Sequence, residues 1–260
     1  MANGELSITN HIASATLSAG AALSSQPVSN LASMDVAEKW ESGNNSTYIL
    51  ADAGADMAWD VVALFGVNDW TAAATVRVRV TTAANGDTTG AAGDAYDSGT
   101  VSANVTTRYG TAAHVITTTK TGRWLRIDIA DTGLTTLKAG RWWAGELLQP
   151  ATNYDYEFKR GVADKTTRNE TDGGQSHARR KATRRTLEVS FRYLLEAEVY
   201  SIGELLMFDV GLFGDLLFVL DRASGNLSRD VYLMQLEDFS EMTHANYNRN
   251  RVDFKMIERK

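Results

Sequence analysis

The chain has 260 residues, a net charge of −6 and no cysteine. That length accommodates one large β domain or two modest ones, each with its own core. The excess of acid excludes a protein whose main task is gripping nucleic acid, which needs a basic face. The missing thiols exclude disulfides, thiolate metal sites and cysteine nucleophiles, as befits a reducing cytoplasm. No apolar run approaches the roughly 20 residues that span a bilayer, and the N-terminus has no basic start or apolar block. A soluble protein made in the cytosol, with no membrane insertion, is therefore expected. The sequons at Asn104 and Asn226 are read as ordinary turn chemistry.

Residues 1–30 are rich in Ser, Ala and Thr, and a flexible arm and an exchanged strand fit them equally. From Leu31 to Asp69 loop and strand are predicted, with Trp40, Tyr48, Trp59 and Phe65 as core anchors. Thr75–Val80 alternates, with Val76, Val78 and Val80 on one face and Arg77 and Arg79 on the other, the two-residue period of a half-buried antiparallel strand. Residues 81–100, nearly all Thr, Ala, Gly, Asn and Asp, predict a long mobile loop or hairpin end turning at Asn85-Gly86. Trp124–Ile129 alternates again, with Leu125, Ile127 and Ile129 inward and Arg126 and Asp128 outward. Several such strands without helical periodicity predict a mainly β chain whose residues 31–145 form a sandwich or jelly roll.

Four segments occur in the order found in a known family: Lys39-Trp40-Glu41-Ser42, Ala63-Leu64-Phe65-Gly66-Val67-Asn68, Thr75–Val80 and Gly122-Arg123-Trp124-Leu125-Arg126-Ile127. Over about residues 30–145 the chain resembles a discoidin-like, galactose-binding-like jelly roll. Many members of that fold bind glycans through loops at one end, and some hold a structural calcium. That places a calcium reading on Asn85-Gly86-Asp87, Asp94 and Asp97, against which a solvated Asp- and Gly-rich turn is the better account, because no EF-hand spacing is present. No metal or other cofactor is expected.

The motif Ala139-Gly140-Arg141-Trp142-Trp143-Ala144-Gly145-Glu146 marks the boundary to a second, charged module over 146–260. Tyr154–Phe158 predicts a short strand. An extended excursion with a turn at Asp172-Gly173-Gly174 follows, then five basic residues, Arg179, Arg180, Lys181, Arg184 and Arg185, before a strand through Leu187, Val189, Phe191 and Tyr193. Leu195, Val199, Ile202 and Leu206 share one helical face, so one helix is expected over about 194–207. Gly211 and Gly214 end it. Leu216–Leu220 then reads as a fully buried strand, Val231–Leu236 and Arg251–Ile257 as two more, and Met242–Asn250 as a loop carrying His244 and Tyr247.

This order resembles the ring-forming β module of long-tailed bacteriophage distal tail and tail-tip proteins. The likeness rests on Gly140–Gly145, Asp172-Gly173-Gly174-Gln175, Leu194-Leu195-Glu196-Ala197-Glu198 and Val219-Leu220-Asp221, and covers residues 140–260. It implies a virion tail protein assembled in the host cytoplasm, forming a ring of three or six copies between the tail tube protein above and hub or fibre proteins below. Here the jelly roll precedes the ring module rather than following it, which leaves hub ring and minor tail component both open. On charge and loop length, Arg179, Arg180, Lys181, Arg184, Arg185, His244 and Tyr247 are the expected contacts with copies or partners. Charges facing a neighbouring copy account for the basic run better than nucleic acid does, because no aromatics interleave with it.

Catalysis is not expected. The four histidines, His11, His114, His177 and His244, are scattered, and no nucleophile elbow, P-loop or dinucleotide fingerprint is present. Carboxylate pairs such as Asp52 with Asp56 or Asp128 with Asp131 arise by chance among 32 acidic residues. The alternative function is a carbohydrate-binding adhesion module of a phage or bacterial surface assembly. It would use Trp40, Trp59, Trp70, Arg77 and Arg79 on a host surface glycan, with Trp40 and Trp59 better read as core.

Overall fold

A computed structural model describes residues 4–87, 94–155, 158–170, 172–239, 243–246 and 249–260. The chain is mainly β and divides into two compact units, Met1–Gln149 with Leu216–Tyr232, and Pro150–Asp215 with Leu233–Lys260.

The first unit is a β-sandwich built in chain order from β1 (Glu5–Ser7), β2 (Thr16–Ala19), β3 (Trp40–Glu41), β4 (Ser46–Phe65), β5 (Thr75–Thr81), β6 (Tyr96–Asp97), β7 (Val101–Ser102), β8 (Thr111–Ala130), β9 (Lys138–Ala139) and β10 (Arg141–Gly145). Its main sheet runs β10-β4-β8-β5-β6, with β2 also on β4 and β7 also on β5. The strands β4 and β8, 20 residues each, pair antiparallel along their lengths, broken by register shifts between Asp52 and Met57 and between Trp59 and Val61. Those bulges divide the sheet, with β5 on the 124–130 stretch of β8 and β10 on the 61–65 stretch of β4. Alternation aims Ile49, Ala51, Val76, Val78, Val80, Leu125, Ile127 and Ile129 into one core with Trp40, Trp59, Val62, Leu64 and Trp142.

The first 30 residues belong to this unit as far as they are described. β1 pairs with the buried strand Leu216–Val219, and β2 pairs with Ile49–Asp52. Between them Asn10 ties the arm to β10: its Nδ2 donates to the Trp142 carbonyl and its Oδ1 accepts from Ala144, both at 3.0 Å. The junction motif is thus the end strand of the main sheet, buried along its whole length. Gly140 donates to the Phe65 carbonyl at 2.7 Å, and a Cβ on it would stand 2.0 Å from the Val36 carbonyl oxygen.

In the second unit, the long strand Thr183–Leu194 pairs on one side with Lys159–Asp164 and on the other with Arg249–Glu258, which also pairs with residues of Val231–Phe239. A separate hairpin joins Thr167–Glu170 to Ser176–Arg179. Leu187, Val189, Phe191, Val252, Phe254 and Met256 fill the inward face.

Two expectations change here, and a third falls partly outside the described residues. The first described strand of this unit is Lys159–Asp164; of the expected strand over 154–158, Tyr154 packs edge-on against Phe158 at 5.1 Å and Phe191 at 6.4 Å. Residues 156–157 lie outside the described residues. The expected loop at 242–250 contains a strand, Thr243–Asn246, pairing with Asn250 and Arg251, so its polar backbone is met by a hairpin; residues 242, 247 and 248 lie outside the described residues. The helix begins at Glu196, one short α turn (α1, Glu196–Glu198), and continues as a π-helix over Val199–Val210. Wider winding moves the buried line to Ile202, Leu206 and Val210 and leaves Leu195 exposed as the N-cap.

Candidate functional site

The side of the first unit's sheet opposite its core carries a row of charged side chains. With Ile49, Val78 and Ile127 turned inward, the pleat turns Tyr48, Arg77, Arg79, Arg126 and Asp128 outward. Register then fixes the rows: Tyr48 lies opposite Asp128, which lies opposite Arg77, and in the next row Leu50, Arg126 and Arg79 align. Two arginines directly opposite repel, and Asp128 resolves the conflict. It accepts from Arg79 Nη2 at 2.7 Å through one oxygen and from Arg126 Nε and Nη2 at 2.9 and 2.7 Å through the other.

Arg126 also stacks over the Tyr48 ring, 4.0 Å from its centroid. Arg77 forms a bidentate pair with Asp97 at 2.9 and 2.5 Å, which holds the Asp97 carboxyl down at about 2. Tyr48, Arg77, Arg79, Arg126 and Asp128, with Ser46, Thr47, Thr75 and Thr100, line a depression of about 370 Å³, within the roughly 300–1,000 Å³ of small-molecule sites.

Arg77 and Arg79 are thus brought together, and Arg79 is 3% exposed rather than solvated as its strand position implied. Trp70 is not with them. It is buried in the core, its indole N–H donating to the Lys138 carbonyl at 3.0 Å. Trp40 and Trp59 are buried as anchors, and Trp59 donates to the Gly122 carbonyl at 2.7 Å. Tyr48, read as a core anchor, faces outward because its neighbour Ile49 occupies the core side. Tyr48, Arg126 and Asp128 were missed as site residues. The alternation that turned Arg126 and Asp128 outward was visible, but no sequence spacing says that they meet β5.

Four other carboxylates singled out in the sequence, Asp52, Asp56, Asp94 and Asp131, have structural partners. Asp52 is bound by Arg123 at 2.6 and 2.7 Å, which lowers its carboxyl below the usual range, and Asp56 accepts from the Ala83 amide at 2.8 Å. Asp131 holds Thr71 through its amide and hydroxyl, and Asp94 accepts from the Thr81 hydroxyl at 3.0 Å. Residues 88–93 lie outside the described residues. Among the described residues no group of three or more His, Asp or Glu is placed to hold a metal ion, and no helix is long and apolar enough to cross a membrane.

In the second unit the basic run is divided. Arg179 ends an exposed hairpin strand, while Arg184 and Arg185 open the strand that leads into the core. Arg185 is largely buried and pairs within the unit: Nη2 lies 2.6 Å from Oε1 of Glu258. His244 sits in the strand Thr243–Asn246, and Tyr247 is outside the described residues.

A feature not anticipated from sequence is apolar. Along the π-helix and the turn after it, Tyr200, Leu205, Phe208, Leu212 and Phe213 are exposed, Phe208 at 82% and Phe213 at 76%. Residues 195–215 carry Glu196, Glu198, Glu204, Asp209 and Asp215 and no basic residue. The signal was the run Leu205 to Phe213, which is apolar on more sides than a single buried stripe needs.

No family model matches the chain, and no curated protein matches it. Among solved structures, it is similar to chitosan-binding module 1 of a Paenibacillus sp. IK-5 chitosanase/glucanase, with a TM-score of 0.41 at 15% identity, covering 53% of this chain and 99% of that one. The lectin domain of lectinolysin, complexed with Lewis b antigen, gives 0.41 at 11%, covering 52% and 95%. A Ruminococcus gnavus GH29 fucosidase in complex with fucose gives 0.43 at 16%, covering 54% and 27%. These neighbours are carbohydrate-binding modules and one glycoside hydrolase.

Proposed function

We propose that the chain is a non-enzymatic structural protein of a long-tailed bacteriophage tail tip, assembled in the host cytoplasm, whose second unit attaches it to other virion proteins or to copies of itself. The tail-tip identity rests on the resemblance of residues 140–260, and the observation that supports attachment to a partner is the exposure of the apolar side chains Tyr200, Leu205, Phe208, Leu212 and Phe213. Contiguous apolar surface left in water marks interaction sites, and an acidic segment without a single cation keeps such a surface soluble until its partner arrives. The exposed basic hairpin with Arg179 is a complementary patch in the same unit. Tail tube and hub or fibre proteins are the remaining proposed partners.

Solution mass by light scattering after size exclusion, with negative-stain images of the same peak, tests this. A closed ring of copies that dissociates in the double variant Phe208→Ser, Phe213→Ser is expected. A wild-type chain that stays monomeric and also fails to bind tail tube and hub proteins from the same virion overturns the assembly reading.

A second reading, a carbohydrate-binding adhesion module, is supported by the polar depression around Tyr48, Arg79, Arg126 and Asp128. A glycan panel with the full chain tests it, and absence of binding across neutral and acidic glycans overturns it.

A further inference from the structure

The hairpin of the second unit, Thr167–Glu170 with Ser176–Arg179, has every residue of both strands exposed. Two strands with no face against a core are marginal by themselves in water, so a contact from outside would stabilise this arm. Register sorts its charges. Thr167 lies opposite Arg179 and Asn169 opposite His177, so these four share one face, while Arg168 and Glu170 share the other with Ala178 and Ser176. Asp164 accepts from the Thr166 amide and hydroxyl and lies within electrostatic reach of Arg168 and Arg180. Within the two strands the Arg179 face therefore carries a cation and neutral hydrogen-bonding groups and no carboxylate. Lys165 and Lys181, both exposed, flank it in the chain.

The π-helix presents the opposite chemistry. At a spacing of four, which puts side chains next to one another on a helix, Tyr200, Glu204 and Phe208 form one exposed row, and Leu205 and Asp209 begin the next. Carboxylates are thus interleaved with exposed rings. Arginine suits such a surface: its planar guanidinium lies flat on an aromatic ring, its N–H groups reach a flanking carboxylate, and its stem covers apolar area. Phe208 and Phe213 are left in water in the single chain, and so is the arm, so the two do not cover each other within one molecule.

We infer that the helix face of one copy receives the hairpin arm of a second copy, with Arg179 and Lys181 lying over Phe208 and Phe213 between Glu204 and Asp209. The contact joins two different surfaces, so each copy keeps one of them to offer and association runs head to tail. This inference rests on the assembly reading and names the partner of its apolar face.

Light scattering after size exclusion, run on the full chain and on two charge-reversed variants, tests it. The helix variant is Glu204→Lys, Asp209→Lys, and the arm variant is Arg179→Glu, Lys181→Glu. All four positions are exposed, and parental melting transitions are expected for both variants. The wild-type chain is expected to self-associate, and each variant alone to do so at least about tenfold more weakly, because like charges then face each other. An equimolar mixture of the two variants is expected to recover association. In it the reversed arm of one meets the reversed helix of the other, and the remaining arm and helix are the natural pair. Undiminished self-association in either variant overturns the inference and leaves the assembly reading standing. Loss in both variants without recovery in the mixture overturns the pairing of these two faces. A monomeric wild-type chain overturns it as well, and binding to tail tube and hub proteins then decides the wider reading.

Discussion

Nη2 of Arg185 lies 2.6 Å from Oε1 of Glu258, and the two side chains are 13% and 5% exposed. The same carboxylate accepts from the Arg185 backbone amide at 3.0 Å and lies 3.4 Å from Lys260 Nζ. The pair closes the second unit's own sheet, linking the start of the strand Thr183–Leu194 to the end of the strand Arg249–Glu258.

Replacing Glu258 with Gln leaves a largely buried guanidinium without its counter-charge. A loss of about 3 kcal/mol is expected, read as a lower midpoint in urea unfolding. Arg184→Ala, one residue away, serves as the comparison and is expected to change stability by less than about 0.5 kcal/mol as a surface substitution. Equal effects of the two would refute the internal role given to Arg185.

Trp70→Ala tests the other reassignment. Its indole is buried and hydrogen-bonded to the Lys138 carbonyl, so truncation opens a cavity and leaves that carbonyl unpaired. A destabilisation of about 3–5 kcal/mol is expected. A variant with parental stability but altered glycan binding would return Trp70 to the surface.

Gly140→Ala places a methyl 2.0 Å from the Val36 carbonyl oxygen, where backbone on both sides must give way. We expect a clear fall in melting temperature, because Gly140 is held to Phe65 by a 2.7 Å hydrogen bond and the group in the way is backbone, the Val36 carbonyl, and not the end of a flexible side chain. By contrast Gly43→Ala, with open space around its Cβ position, is expected to be neutral or nearly so.

Stability is also expected to depend on pH through two histidines. Burial lowers the imidazole of His114, whose Nε2 lies 2.6 Å from the Tyr96 hydroxyl, and burial likewise lowers that of His11, packed edge-on against Trp59. With folded values below the unfolded value of about 6.5, the unfolded chain takes up protons first as pH falls. Stability is therefore fully present above about pH 6.5 and declines below it. Urea midpoints at pH 7.5 and at lower pH check this, and His114→Gln is expected to flatten the decline.

The charged face behaves differently. Arg77 holds Asp97 down at about 2, so the contribution of that exposed pair persists from neutral pH and is lost only as pH falls from the ordinary carboxylate range toward about 2. Ionic strength screens it throughout. Acid loss of the pair without a coincident change in the His114 titration would separate the two effects.

Alternation alone determined much of the first unit. The period of two in Thr75–Val80 and Trp124–Ile129 fixed which side chains enter the core and which leave it, because a pleated strand has only two faces. The same rule turns Tyr48 away from the core, yet its aromatic ring suggested burial, and only the neighbouring Ile49 on the inner face decided between them. The fully buried strand Leu216–Val219 was plain as a run of apolar residues, but nothing local told that it leaves the C-terminal half to join the first unit, pairing with Glu5–Ser7 more than 200 residues away in the chain. Pairing partners are set by long-range closure and not by local pattern, and for that reason the strand register, the shared carboxylate of Asp128, the Arg185–Glu258 pair and the exposed Phe208 and Phe213 emerge only from the tertiary structure.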